Sequence, residues 1–234
     1  MKLVIFDCDG TLVDSQHMIC AAMRQAFEVN GLSVPARERL LSIVGLSLPS
    51  AFARLAEGSA DGADHPIEGL VAAYRDAFAA LRASPDDLEP LYPGAREAVE
   101  ALARQPETML GMATGKSQRG AQRVLARHGW SAHFATIQTS DDAPSKPHPG
   151  MVLAAMAATG ATPHETVMVG DTAFDIEMAH AAGARAIGVA WGYHPPAELV
   201  QAGADAMISD FSELVPTLER LWRKAPLAER LAAT

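Results

Sequence analysis

Six short runs rich in Val, Ile and Met constrain this chain more than anything else in it. They are residues 3–6 (LVIF), 109–113 (MLGMA), 135–138 (ATIQ), 166–169 (TVMV), 186–190 (AIGVA) and 206–208 (AMI). None alternates apolar with polar residues as a half-exposed strand does, so each reads as a strand buried on both faces of a parallel sheet. From about residue 90 onward, helical patterns lie between them at 94–104, 117–128, 150–159, 173–182 and 212–223. Strands and helices in alternation predict an α/β layered architecture, a doubly wound parallel sheet. In such a sheet the functional groups collect outside the carboxyl ends of the strands.

Residues 15 to 87 break the alternation. Helical spacing of apolar residues runs over 17–30, ending at Gly31, and helices also fit 36–43, 50–56 and 67–83, with no strand among them. "EGSADGADHP" (57–66) has the Gly, Asp and Pro content of a loop, and "LEPLYPGA" (88–95) is a Pro-rich return. An all-helical insertion after the first strand predicts a mobile cap over the strand ends, dividing the chain into a core (1–14 and 88–234) and a cap (15–87). The competing expectation is extra helices packed on the sheet. There is no internal repeat, and the last ten residues, "APLAERLAAT", read as a frayed tail.

The 234 residues, 49% hydrophobic and 20% charged, suffice for a buried core without disulfides or structural metal. The net charge of -9, with lysine only at 2, 116, 146 and 224, leaves no basic stripe for nucleic acid. Cys8 and Cys20 alone support neither a disulfide framework nor a CxxC site, so a reducing, cytoplasmic setting is expected. Residues 3–6 are too few for a signal-peptide core, and no run approaches a membrane span.

Chemistry gathers after the strands. Asp7 and Asp9 follow the first; Thr114, Gly115 and Lys116 follow the second; "SKPHPG" with Lys146 precedes the helix at 150; Gly170, Asp171, Thr172 and Asp175 follow the run at 166–169. In a parallel sheet these share one rim. A hard divalent cation explains the carboxylates: Mg²⁺ is commonly held by one or two carboxylates plus waters and substrate phosphate oxygens. Asp7 and Asp171 suit that grip, with the backbone carbonyl of Asp9. Lys146 and Thr114 suit a phosphoryl group, and glycine at 10 and 115 lets backbone N–H groups come close to phosphate.

"DCDGT", Thr114, Lys146 and "GDTAFD" resemble, in order and spacing, the four motifs of the haloacid dehalogenase-like hydrolase superfamily. The resemblance covers essentially the whole chain, including the helical insertion, which is similar to that superfamily's first-type cap on a Rossmann-like core. "VGLSLPSAF", "YPGAREAVEAL", "MATGK", "SKPHP" and "GADAMISD" resemble most the phosphoglycolate phosphatase-like branch. The resemblance implies a Mg²⁺-dependent phosphomonoester hydrolase acting on a small phosphorylated metabolite, as a monomer or homodimer. Asp7 is then the nucleophile that forms an aspartyl-phosphate, and Asp9 the acid, protonated at the start, that later serves as base. Thr114 and Lys146 hold the transferring group. Asp7, Asp9 and Asp171 hold the metal, and Asp175 supports it through water or by orienting Lys146. Dehalogenases of the superfamily lack an acid at position 9, so Asp9 favours phosphoryl transfer. A Schiff-base chemistry needs a cap lysine, and residues 15–87 contain none.

Some residues carry two readings. Asp14 either contacts substrate at the hinge or caps the helix after Ser15. Lys116 is either a solvated lysine at a helix start or a phosphate contact. His148 and His194 read as bystanders in rim loops, Cys8 as a small buried residue, and Met109, Met112, Met151, Met156, Met168 and Met178 as core filler. Of the cap arginines 24, 37, 39, 54, 75 and 82, some are candidates for a substrate carboxylate. "GLSLPS" (45–50) is the cap loop expected to face the site. A β-phosphoglucomutase-like transfer and a pyrophosphatase are the near alternatives. A receiver module is the non-enzymatic one, opposed by the chain's length.

Overall fold

A computed structural model of the protein describes residues 1–57, 65–83 and 89–223. Most of the loop expected at 57–66, the proposed boundary at 87 and the tail at 225–234 lie outside the described residues. Six strands form one sheet: β1 (Lys2–Phe6), β2 (Thr108–Thr114), β3 (Phe134–Thr139), β4 (Thr166–Gly170), β5 (Arg185–Val189) and β6 (Ala206–Ile208). Their spatial order is β3-β2-β1-β4-β5-β6, and every neighbouring pair is parallel. The direction of winding reverses at β1, and that switch point is where such sheets open a crevice.

The apolar runs follow the pleat. Val4, Phe6, Leu110, Met112, Val167 and Val169 enter the core on one face, while Leu3, Ile5, Ala113 and Met168 enter the core on the other. Successive residues of one strand are therefore buried on opposite sides, which is why no alternation marks them in sequence. The covering helices are α5 (Ala95–Ala103), α6 (Gln118–His128), α7 (Gly150–Thr159), α8 (Ala173–Ala181) and α10 (Leu214–Arg223). A 3₁₀ turn, Phe211–Glu213, precedes the last of these, so the pattern read as one helix over 212–223 begins with a tighter turn. A six-residue helix, α9 (Pro196–Gln201), has no counterpart in the sequence reading because it is too short to show periodicity.

Between β1 and α5 lie α1 (Gln16–Val29), α2 (Arg37–Leu41), α3 (Leu48–Ala56) and α4 (Ile67–Arg82). They enclose a core of their own, with Met23, Phe27, Leu40, Phe52, Leu55 and Leu70 at most 2% exposed. Each such side chain stabilises by ~1.5–3 kcal/mol on burial, enough for the insertion to cohere as a layer apart from the sheet. It is joined to the rest through Phe174 of α8, which packs into the same cluster under the Arg54 guanidinium, 5.1 Å from the ring centre. Among the described residues no helix is long and apolar enough to cross a membrane.

Candidate active site

The end of β1 delivers Asp7, the end of β4 delivers Asp171, and the first turn of α8 delivers Asp175. All three are buried, and each offers a carboxylate oxygen within 4.8 Å of the others. Lys146, 2% exposed, enters from the β3–α7 connection and donates to Asp175 Oδ1 at 2.6 Å. Its Nζ also lies 3.0 Å from Asp7 Oδ2. That oxygen nevertheless receives no aligned hydrogen bond, whereas Asp7 Oδ1 accepts the Cys8 N–H at 2.6 Å.

Local backbone structure fixes the other acids. Thr172 caps α8: its N–H and hydroxyl donate to Asp175 Oδ2 at 3.1 and 2.7 Å, a reciprocal capping box. Asp171 accepts from Thr11 Oγ1 at 2.9 Å on one oxygen and from Tyr193 N–H at 2.9 Å on the other. Its side chain occupies a gap left by two glycines. A Cβ on Gly10 would stand 2.1 Å from Asp171 Oδ2, and one on Gly192 would stand 2.0 Å from Asp171 Cβ. Gly10 also has φ +84°, a conformation other residues rarely adopt.

Asp9 faces a second cation. Its Oδ1 accepts from Ser15 Oγ and lies 2.8 Å from Lys116 Nζ. Lys116 also reaches Glu89 Oε1 at 2.8 Å, and Glu89 Oε2 lies 3.5 Å from Arg82 Nε at the end of α4. The Asp9 side chain is outside the cluster of three acids.

Burial and mutual repulsion govern the electrostatics. Burial pushes the Asp7 carboxyl up, Lys146 opposes it and Asp175 adds to it, leaving it at about 7. Asp171 is driven well above the usual carboxylate range by burial, then by Asp7 and Asp175. Burial alone would lower both lysines, but Asp175 and Asp7 hold Lys146, and Asp9 holds Lys116, above the ordinary value. Glu89, despite its burial, is held low chiefly by Lys116. Five buried carboxyl groups (Asp7, Asp9, Glu89, Asp171, Asp175) thus crowd around Lys146, Lys116 and Arg82, with burial holding Asp7 and Asp171 toward the protonated form.

Above the rim lies a cavity of about 800 Å³ between sheet and insertion, bounded by Asp7, Asp9, Thr114 and Lys116 below and by the 45–49 loop above. The loop sits close. A Cβ on Gly115 would meet the carbonyl oxygens of Leu46 and Gly45 at 2.6 and 2.7 Å, and Ser47 N–H donates to Ser145 Oγ at 2.9 Å.

The profile of the family described as haloacid dehalogenase-like hydrolase matches residues 4–189. The chain belongs to that family. It is 36% identical over 216 residues to the probable phosphatase IndB of Dickeya dadantii, covering 91% of each chain. It is 35% identical over 221 residues to a phosphoglycolate phosphatase of Chromobacterium violaceum, covering 92% of this chain and 95% of that one. A hydrolase of Pseudomonas syringae superposes with TM-score 0.82 at 27% identity, covering 94% of this chain and 99% of that one. This haloacid dehalogenase-like hydrolase is a phosphatase.

In the hydrolase, Asp7, Asp171, Asp175 and Lys146 meet at one point, with Asp9, Thr114 and Gly115 on the wall of the adjoining cavity. Lys116 corrects one expectation: its side chain is 7% exposed and shared by two carboxylates, so it is not a solvated lysine. Glycine is needed at 10 and 115 for close packing against Asp171 and the insertion loop, a reason different from approach to phosphate. Asp14 accepts the Gln16 N–H at 3.3 Å, a contact at the start of α1. His148 is spent on the Gly150 N–H. His194 spans the two layers, Nδ1 accepting from Ala173 N–H at 3.3 Å and Nε2 lying 3.1 Å from the Ser42 carbonyl.

Four site residues have no place in the sequence reading: Ser15, Glu89, Trp191 and Tyr193. The Tyr193 hydroxyl accepts the Ser15 N–H at 3.0 Å, and Trp191 Nε1 donates to the Thr11 carbonyl at 3.1 Å. The signal available was position, since "WGYH" follows β5 on the same rim as the other motifs.

Proposed function

We propose that this phosphatase is a Mg²⁺-dependent phosphomonoester hydrolase that works through an aspartyl-phosphate on Asp7, takes a small phosphoglycolate-like metabolite and operates in the cytoplasm. One observation carries the reading. Three buried acids and Lys146 converge at the switch point of the sheet, directly under a cavity roofed by the helical insertion. The donor set fits a hard cation: all-oxygen ligands, a raised Asp7 and Asp171, and an Asp7 oxygen with no aligned hydrogen bond. Asp7, Asp171 and the Asp9 carbonyl would hold Mg²⁺, with Asp175 beside them. Bound there, the ion would offset charge on phosphoryl oxygens.

The chain's own groups supply the rest. The Cys8 N–H fixes the Asp7 carboxylate for attack on phosphorus, forming the Asp7 O–P bond as the ester P–O bond breaks. Asp9 gives a proton to the departing alkoxide, then takes one from the water that cleaves the acyl phosphate. Ser15 Oγ and Lys116 Nζ both meet Asp9 on Oδ1, so Oδ2 is the oxygen for that proton. Lys146, anchored by Asp175, and the Thr114 hydroxyl would neutralise and hold the transferring group. The insertion acts as a cap domain over 15–87 that excludes water from the site.

The test is phosphate release from a panel of small phosphate esters and pyrophosphate with Mg²⁺, beside Asp7→Asn and beside EDTA. Loss of release in both arms is expected. Full activity in either arm overturns the mechanism, and an isomerised ester without free phosphate would select the mutase.

A further inference from the structure

The cavity extends far beyond the reacting phosphate. At roughly 30 Å³ per water, about 800 Å³ is room for ~25 water molecules. An ester the size of phosphoglycolate leaves most of it unfilled. Beyond Asp7 and Asp9 the walls turn apolar: Ile19, Met23, Val44, Leu46, Tyr74 and Phe78. Tyr74 and Phe78 lie one turn apart on α4 with rings stacked at 5.5 Å. That wall suits a planar or ring-sized body.

The lining then turns cationic. Arg75 and Arg82 come from α4, two turns apart; Arg119 and Arg123 come from α6, one turn apart. Each pair therefore shares a helix face. Arg82 is engaged by Glu89 and by the Phe78 ring, 4.6 Å from its centre. No described carboxylate is ion-paired with Arg75, Arg119 or Arg123. Some desolvation, then Arg82 and Arg119, pull the Arg123 guanidinium below its ordinary value against a smaller opposing pull from Glu89, so these cations repel one another. In a chain of net charge -9, four guanidiniums line the end of the cavity away from Asp7 and Asp9, with Asp141 as the one other acid of the described lining. Glu89 offsets only part of that repulsion, which favours an anionic ligand, and Arg matches carboxylate and phosphate alike with paired N–H donors.

We propose that the substrate is a phosphate monoester whose alcohol part is an apolar, ring-sized body bearing a second anionic group, taken by Arg119 and Arg123. This rests on the phosphatase reading and narrows it. Phosphoglycolate keeps the second anion but lacks the body that fills the apolar middle.

Binding to non-hydrolysable phosphonates tests the proposal without turnover. Calorimetry on the full chain with Mg²⁺ would compare benzylphosphonate, 4-carboxybenzylphosphonate and p-xylylenebisphosphonate. A second anion should tighten binding about tenfold or more, the size of one charge-assisted hydrogen-bonded contact. The tighter of the two doubly anionic probes tells carboxylate from phosphate. R119Q/R123Q should reduce the preference to within about threefold, while R104Q, outside the cavity, should keep it. Equal binding of all three probes, or a preference that survives R119Q/R123Q, overturns the proposal. Failure of the phosphatase reading looks different: no phosphate release from any ester, with the ranking of phosphonates intact.

Discussion

The sheet rim and the inner face of the helical insertion meet across one cavity and are built in opposite ways. On the rim, Asp7, Lys146, Asp171 and Asp175 are at most 2% exposed, and each is held by a neighbour, several by backbone N–H groups. Opposite them the insertion offers apolar side chains and arginines that only edge the cavity. Rim groups owe their positions to strand ends and helix caps, which no single side-chain change rebuilds. Insertion groups such as Ile19, Met23, Val44 and Leu46 are held by side-chain packing within the insertion's own core. A fixed chemical floor beneath an exchangeable roof keeps one reaction while leaving the choice of alcohol open.

Breaking the floor should cost most. Asp7→Asn keeps the shape but removes the proposed nucleophile, and phosphate release should fall by about 10⁴-fold or more, with the circular dichroism spectrum unchanged. Lys116→Met removes the ammonium that positions Asp9 and ties it to Glu89. Steady-state kinetics should show kcat down by ~10²-fold with a smaller change in KM; a change confined to KM would make Lys116 a binding residue only. Gly115→Ala tests the roof: the Leu46 and Gly45 carbonyls must retreat, so KM should rise several-fold and the melting temperature should fall by about 2–10 °C, the size of an overpacking cost.

The smallest effect is on stability against pH. Asp7 titrates near 7 in the folded chain against 3.8 in its absence of neighbours. Between those values the folded state holds a proton the unfolded state has shed, so stability declines as pH rises through that window. In EDTA the melting temperature should be lower at pH 8 than at pH 5, and Mg²⁺ should restore more at pH 8. A flat profile in EDTA would mean that Lys146 already neutralises the acids.

Strands were legible because double burial leaves unbroken apolar runs, and α1, α3 and α4 of the insertion because each has a continuous apolar stripe. The principal site residues were legible because a parallel sheet turns order along the chain into adjacency on a rim. What escaped is what depends on distant pairs. Lys116 reads either as a solvated lysine or as a phosphate contact until Asp9 and Glu89, 107 and 27 residues away, close on it. Tyr193 meets Ser15 across 178 positions, and nothing local to either announces the contact. α9 was lost for a simpler reason, being a six-residue turn opened by paired prolines.

The slot around Asp171 has a consequence for how such a chain can vary. Gly10 and Gly192 come from loops after different strands, yet neither can gain even a methyl group without entering the space of the same carboxylate. Two positions 182 residues apart are thus bound to a third by excluded volume alone. Drift at either glycine would dislodge the acid from the outside, leaving its codon untouched, so an inactive descendant of this chain could still display every charged residue of the site.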